Sequence, residues 1–91
     1  MTDDSTLSGL REQISEIDRS IVAAVNERLD LVAQIKAYKE SKGLGFLDPA
    51  REQQMLEELA RANRGPLSGD GLRELLQAIL DLSKREVGRE P

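Results

Sequence analysis

The chain has no cysteine and no histidine. Without cysteine it forms neither a disulfide nor a thiolate metal site. Without histidine it lacks the usual acid–base group, the base of most catalytic triads and the commonest metal ligand. Aromatic side chains are scarce, with one Phe and one Tyr, too few to build stacking platforms for bases. The net charge of −4 also argues against general nucleic-acid binding. No apolar run approaches the roughly 20 residues that span a bilayer. Residues 1–8 are acidic and polar, unlike a signal peptide. These absences lead to the expectation of a cytoplasmic protein with no metal, no cofactor, no membrane and no nucleic acid as partner.

At 91 residues the chain is expected to be a single small domain, with a core over about residues 7–87 and flexible ends at 1–6 and 88–91. Such a chain is marginal alone, and with disulfides excluded, oligomerisation is the remaining remedy. From residue 7 to residue 42 there is no proline. Leu10, Ile14, Ile17, Ile21, Val25, Leu29, Val32 and Ile35 recur every three or four residues, the period of one helical stripe. A helix of that length runs about 50 Å. A compact domain of 100 residues has a radius of gyration of about 13 Å. One chain therefore cannot cover both ends of this helix, and the simplest cover is a second copy. Any site on the helix is then open to sharing between two chains.

The spacing predicts three helices and two joints, an all-α chain with no competing strand pattern. The first helix starts near Thr6 or Ser8 and ends at Lys42-Gly43, where glycine takes the left-handed cap. Gly43-Leu44-Gly45-Phe46-Leu47 is a short joint anchored by apolar side chains. Asp48 then Pro49 reads as an N-cap and a first helical residue. The second helix runs to about Asn63, with Met55, Leu56 and Leu59 inward, and Gly65-Pro66 breaks it. Ser68 or Asp70 caps the third, whose apolar face is Leu72, Leu75, Leu76, Ile79, Leu80 and Val87.

Three cations on the first helix stand out. Arg28 and Lys39 are separated by three turns, about 16 Å along the axis and offset by about 20°. They share a face and can converge on a small anion. Arg11 lies about 25 Å before Arg28 and is rotated by roughly 100°. It reaches the same ligand only if an antiparallel partner supplies it. The bland alternative is that all three are solvated, since Glu12, Glu27 and Asp30 stand beside them. The start of the second helix, Asp48-Pro49-Ala50-Arg51-Glu52, is explained by capping, yet its free N–H groups can also hold a ligand oxygen. Glu52 can accept from a hydroxyl. Ser83 has no base to make it a nucleophile. It either reaches into a pocket or, as most mid-helix serines do, bonds the carbonyl one turn back.

Together these stretches resemble the all-helical chorismate mutase family. The resemblance is carried by residues 10–19 (LREQISEIDR), by Asn26-Glu27-Arg28-Leu29, by Ile35-Lys36-Ala37-Tyr38-Lys39 and above all by Asp48-Pro49-Ala50-Arg51-Glu52. It covers about residues 7–87. It implies a three-helix subunit, an intertwined homodimer with shared active sites, and conversion of chorismate to prephenate. It also implies roles. Arg11 from the partner chain and Arg28 from the home chain pair with the substrate carboxylates. Lys39 touches a carboxylate and the ether oxygen of the breaking bond. Asp48, through its backbone, and Glu52 hold the ring hydroxyl. Arg51 assists at the ring end, and Ser83 lines the pocket.

One position departs from the family. Four residues past the serine the family carries Gln or Glu, which donates to the ether oxygen. Here the residue is Val87, which has no donor, and neither Arg85 nor Glu86 points the same way on a regular helix. The readings left open are a weak enzyme, one completed by another enzyme of the shikimate pathway, or a last turn that rearranges on binding. Two rival functions stand beside the mutase. One is an isochorismate–pyruvate lyase on the same scaffold; the other is a non-catalytic helical dimer serving as a regulatory module.

Overall fold

A computed structural model describes residues 4–45 and 47–88. It has three helices: α1 (Ser5–Ser41), α2 (Pro49–Ala62) and α3 (Gly69–Gly88), with no strand among the described residues. The expected order of long, short and medium helix is the observed one. The chain separates into two units, Met1–Leu31 and Val32–Pro91, and the boundary falls inside α1.

The first unit is one helical segment. It starts earlier than Thr6 or Ser8, because Asp4 caps it. The Asp4 carboxylate accepts the Leu7 N–H at 3.0 Å and its carbonyl accepts the Ser8 N–H at 2.9 Å. Ser5 and Thr6, expected in a flexible end, are therefore helical. A carboxylate at the positive end of a helix is favoured over a hydroxyl by its charge. No described residue of α1 is buried. Leu10, Ile14, Ile17 and Ile21 are 51 to 59 % exposed. Four bulky aliphatic side chains in one stripe is the pattern of a face made for cover.

The second unit holds the end of α1 together with α2 and α3. The α1 terminus is a Schellman turn. Gly43 has φ +71°, its N–H donates to the Glu40 carbonyl at 3.2 Å, and the Leu44 N–H reaches the Lys39 carbonyl at 2.8 Å. Only glycine takes this conformation without strain. The expected anchor Phe46 lies outside the described residues, as do residues 89–91 of the expected flexible tail. Leu44 and Leu47, the other apolar side chains of the joint, are 56 and 63 % exposed and bury little.

Asp48 is the α2 cap, its carboxylate accepting the Arg51 N–H at 3.0 Å, with Pro49 at the first helical position. Such a cap contributes about 1 kcal/mol. Met55 and Leu56 are half-buried, but Leu59, expected inward, is 42 % exposed. Of the two candidate caps for α3 the chain uses Ser68, whose Oγ accepts the Gly71 N–H at 2.9 Å. Asp70 instead pairs with Arg73 at 2.9 Å.

The core of this unit is a stripe on α3: Leu72, Leu76, Leu80 and Ser83. The expected face differs at one position, since Leu75 is 50 % exposed. Leu75 lies roughly 100° from the centre of the stripe, whereas Ser83 lies near that centre. The buried stripe thus includes a serine that a purely apolar reading leaves out.

Candidate active site

Arg11 and Arg28 belong to the first unit. Arg11 is exposed, while Arg28 is half-buried despite its charge. The other expected site residues belong to the second unit and come from all three helices.

Lys39 stands in the last turn of α1, half-buried, directly before the Schellman turn that fixes the helix end. One turn earlier is Lys36. Its Nζ donates to the main-chain carbonyl of Val87 at 3.2 Å and lies 3.9 Å from the Glu40 carboxylate. This contact fastens the end of α3 to α1. Across α2 and α3, the Glu52 carboxylate pairs with Lys84 Nζ at 3.2 Å, and both side chains are largely covered, at 28 and 38 % exposure. Glu52 therefore has a fixed direction rather than a free swing on the helix surface.

Asp48 and Arg51 are exposed. The Asp48 carboxylate is engaged at the cap, so its side chain is committed to structure. The Arg51 guanidinium lies over its own helix, 3.4 Å from the Gln54 side-chain oxygen and 4.0 Å from the Glu58 carboxylate. Ser83 is buried, and its hydroxyl donates to the Ile79 carbonyl at 2.8 Å. That is the ordinary bond of a mid-helix serine, the second of the two readings offered by the sequence. Val87 is half-buried and enters the network through its backbone carbonyl only.

Glu52 also lines a cleft of about 270 Å³ between α2 and α3, with Pro49, Leu56, Leu76 and Leu80 among its walls. None of the other expected site residues lines it.

Two contributors escaped the sequence reading, Lys36 and Lys84. Both act across long separations, 51 and 32 residues, so no local spacing announces them. The one available signal was that Lys36 lies one turn before Lys39 on nearly the same face of α1.

Chemically, the second unit fastens two lysine ammonium groups, Lys84 on the Glu52 carboxylate and Lys36 on the Val87 carbonyl. Among the described residues no group of three or more acidic residues could hold a metal. No helix among them is long and apolar enough to cross a membrane. Ammonium groups with restricted motion suit an anionic ligand and negative charge that grows during a reaction.

Residues 10–87 match the sequence profile of the family described as chorismate mutase type II. The chain is 32 % identical over 87 residues to the bifunctional chorismate mutase/prephenate dehydratase of Aquifex aeolicus (strain VF5), a match covering 87 % of this chain and 24 % of that protein. It is 31 % identical over 75 residues to the T-protein of Haemophilus influenzae, covering 81 % of this chain and 20 % of that one. The chain thus spans about a quarter or less of these curated relatives. Among solved structures, chorismate mutase form II from Thermus thermophilus superposes with a TM-score of 0.89 at 30 % identity, covering 93 % of this chain and 97 % of that one. Form I of the same protein gives 0.84 at 32 % identity, covering 86 and 98 %.

Proposed function

The chain belongs to the chorismate mutase type II family, and we propose that it catalyses the rearrangement of chorismate to prephenate in the cytoplasm, as a homodimer with two shared sites. The observation that supports this most is the family match over residues 10–87, which spans every site position named above. By the resemblance described above, Val87 is the position among them that departs from the family pattern.

The reaction suits this set of residues. It is unimolecular and pericyclic, so it needs no nucleophile, proton relay or cofactor. The enzyme must hold a flexible dianion in its compact shape. Arg28 of one chain and Arg11 of the other clamp the two carboxylates, each guanidinium offering a planar, two-pronged donor. Pinning both ends brings the reacting carbons together and removes much of the entropic barrier. Lys39 faces the ether oxygen, where charge grows as the bond breaks. Because that interaction strengthens toward the transition state, it accelerates the step rather than merely binding substrate.

Glu52 accepts from the ring hydroxyl, with Lys84 holding the carboxylate in place. Asp48 contributes through its backbone, since its carboxylate caps α2. Arg51 assists at the ring end after leaving its present position over Gln54 and Glu58. Ser83 lines the site from α3. A second copy covers the exposed stripe of Leu10, Ile14, Ile17 and Ile21 and supplies Arg11.

The test is loss of chorismate absorbance with purified protein, with products separated by chromatography. Prephenate forms well above the uncatalysed rate. Salicylate and pyruvate from isochorismate, with no prephenate from chorismate, would replace the mutase reading by the lyase. No turnover of either would leave a non-catalytic dimer.

A further inference from the structure

We propose that Lys36 supplies the donor to the ether oxygen that residue 87 of this chain does not. The proposal rests on the mutase reading above. It starts from two facts about one place in the fold. The side chain of Val87 cannot donate a hydrogen bond. Yet an ammonium group is delivered to Val87, because Lys36 Nζ lies 3.2 Å from its carbonyl oxygen.

The placement is specific. Val87 is next to the last residue of α3. Its carbonyl is one of the terminal four that the helix cannot satisfy internally. The negative end of the helix dipole attracts a cation there. Lys36 comes from a different helix, 51 residues away, and its side chain is only 21 % exposed. Covering an ammonium costs free energy unless it is paired. The Val87 carbonyl and the Glu40 carboxylate, at 3.9 Å, are such partners. They hold the ammonium at the end of α3 rather than letting it extend into water.

Its neighbour completes the argument. Lys39 follows on α1 by about 4.5 Å of rise and about 60° of rotation, so the two side chains leave adjacent points of one face. The ammonium has three N–H donors in a tripod. One is given to Val87, which together with the Glu40 carboxylate fixes where the ammonium sits. An oxygen approached by Lys39 from one side then meets Lys36 from the side of residue 87. A second full positive charge stabilises a growing oxyanion at least as well as a neutral amide. In this chain the valine carbonyl recruits the group that an amide side chain at the same position would replace.

The experiment measures kcat and KM for chorismate, with thermal melting curves, for Lys36→Met, Lys39→Ala, Val87→Gln and the double variant Lys36→Met/Val87→Gln. Lys36→Met lowers kcat about 10²-fold, the scale of one lost donor to developing charge, with a smaller change in KM. Val87→Gln in that background restores at least about tenfold of the loss. Val87→Gln alone gains less than about threefold, because the donor is already present.

A Lys36→Met variant within twofold of wild type, while Lys39→Ala is strongly impaired, overturns the proposal and spares the mutase reading. So does a double variant as slow as Lys36→Met with an unchanged melting curve, since Lys36 then only fastens the end of α3. Should Lys36→Met fail to fold, Val87→Gln alone decides: a gain of about tenfold or more means the donor was missing. Failure of Lys39→Ala to change the rate strikes the mutase reading itself.

Discussion

Replacing Lys39 with alanine lowers kcat for chorismate by about 10² to 10³, equivalent to roughly 3–4 kcal/mol of transition-state stabilisation. In the proposed site the ammonium meets the ether oxygen as its bond to carbon breaks, so the loss is expected to fall on the rate more than on binding. The fold is expected to survive. At residue 39 the contact that closes α1 is a main-chain one, from the Leu44 N–H to the Lys39 carbonyl, and alanine keeps it. Alanine is also the best helix former. Far-UV circular dichroism and the melting temperature therefore stay near wild type while turnover falls. Activity within twofold at both saturating and limiting chorismate would remove Lys39 from the reaction.

A charge in the middle of the α1 stripe is expected to separate the proposed dimer. Ile17 is 59 % exposed in the single chain and has Ile14 and Ile21 beside it on the stripe. If a second copy covers this face, each isoleucine buried contributes about 2 kcal/mol. Two-fold symmetry counts the loss twice, so Ile17→Glu weakens association by about 4 kcal/mol, a thousandfold in Kd, before the cost of desolvating the carboxylate. Sedimentation of the wild type gives twice the chain mass. Ile17→Glu sediments as a monomer, with reduced helicity, because no described residue of α1 is buried within its own chain. A variant that remains dimeric at the same concentration, or a wild type that is a fully helical monomer, contradicts the proposed cover.

The ends of the helices were legible where one residue has one conformational use. Gly43 and the Asp48-Pro49 pair closed α1 and opened α2 as expected, since a left-handed glycine and a carboxylate before a proline each satisfy a local backbone need. The start of α1 was misplaced because several side chains there can cap, and Asp4 prevails over the hydroxyls. The α3 face was misread at Leu75. Apolarity ranks leucine above serine for burial, but the angular position on the helix decides, and a serine that bonds its own helix is buried at small cost.

Within the site, position 39 carried its own signal in the neighbouring sequence. Lys36 and Lys84 did not, because their partners are a backbone carbonyl and a carboxylate brought near only by the tertiary fold. That Val87 has no side-chain donor was visible from the sequence. What stands beside it was not, because a main-chain acceptor leaves no trace in the identity of its residue.

The most direct test of a mutase site built from two chains is to mix two inactive variants, Arg11→Ala and Arg28→Ala, exchange their subunits and measure prephenate formation. Each parental dimer has two defective sites. A mixed dimer has one site with both defects and one with neither. Random exchange makes half the dimers mixed, so about a quarter of wild-type activity returns. Activity that stays at the level of the two parents, although native mass spectrometry shows the mixed dimers, would contradict a site shared through Arg11 and Arg28.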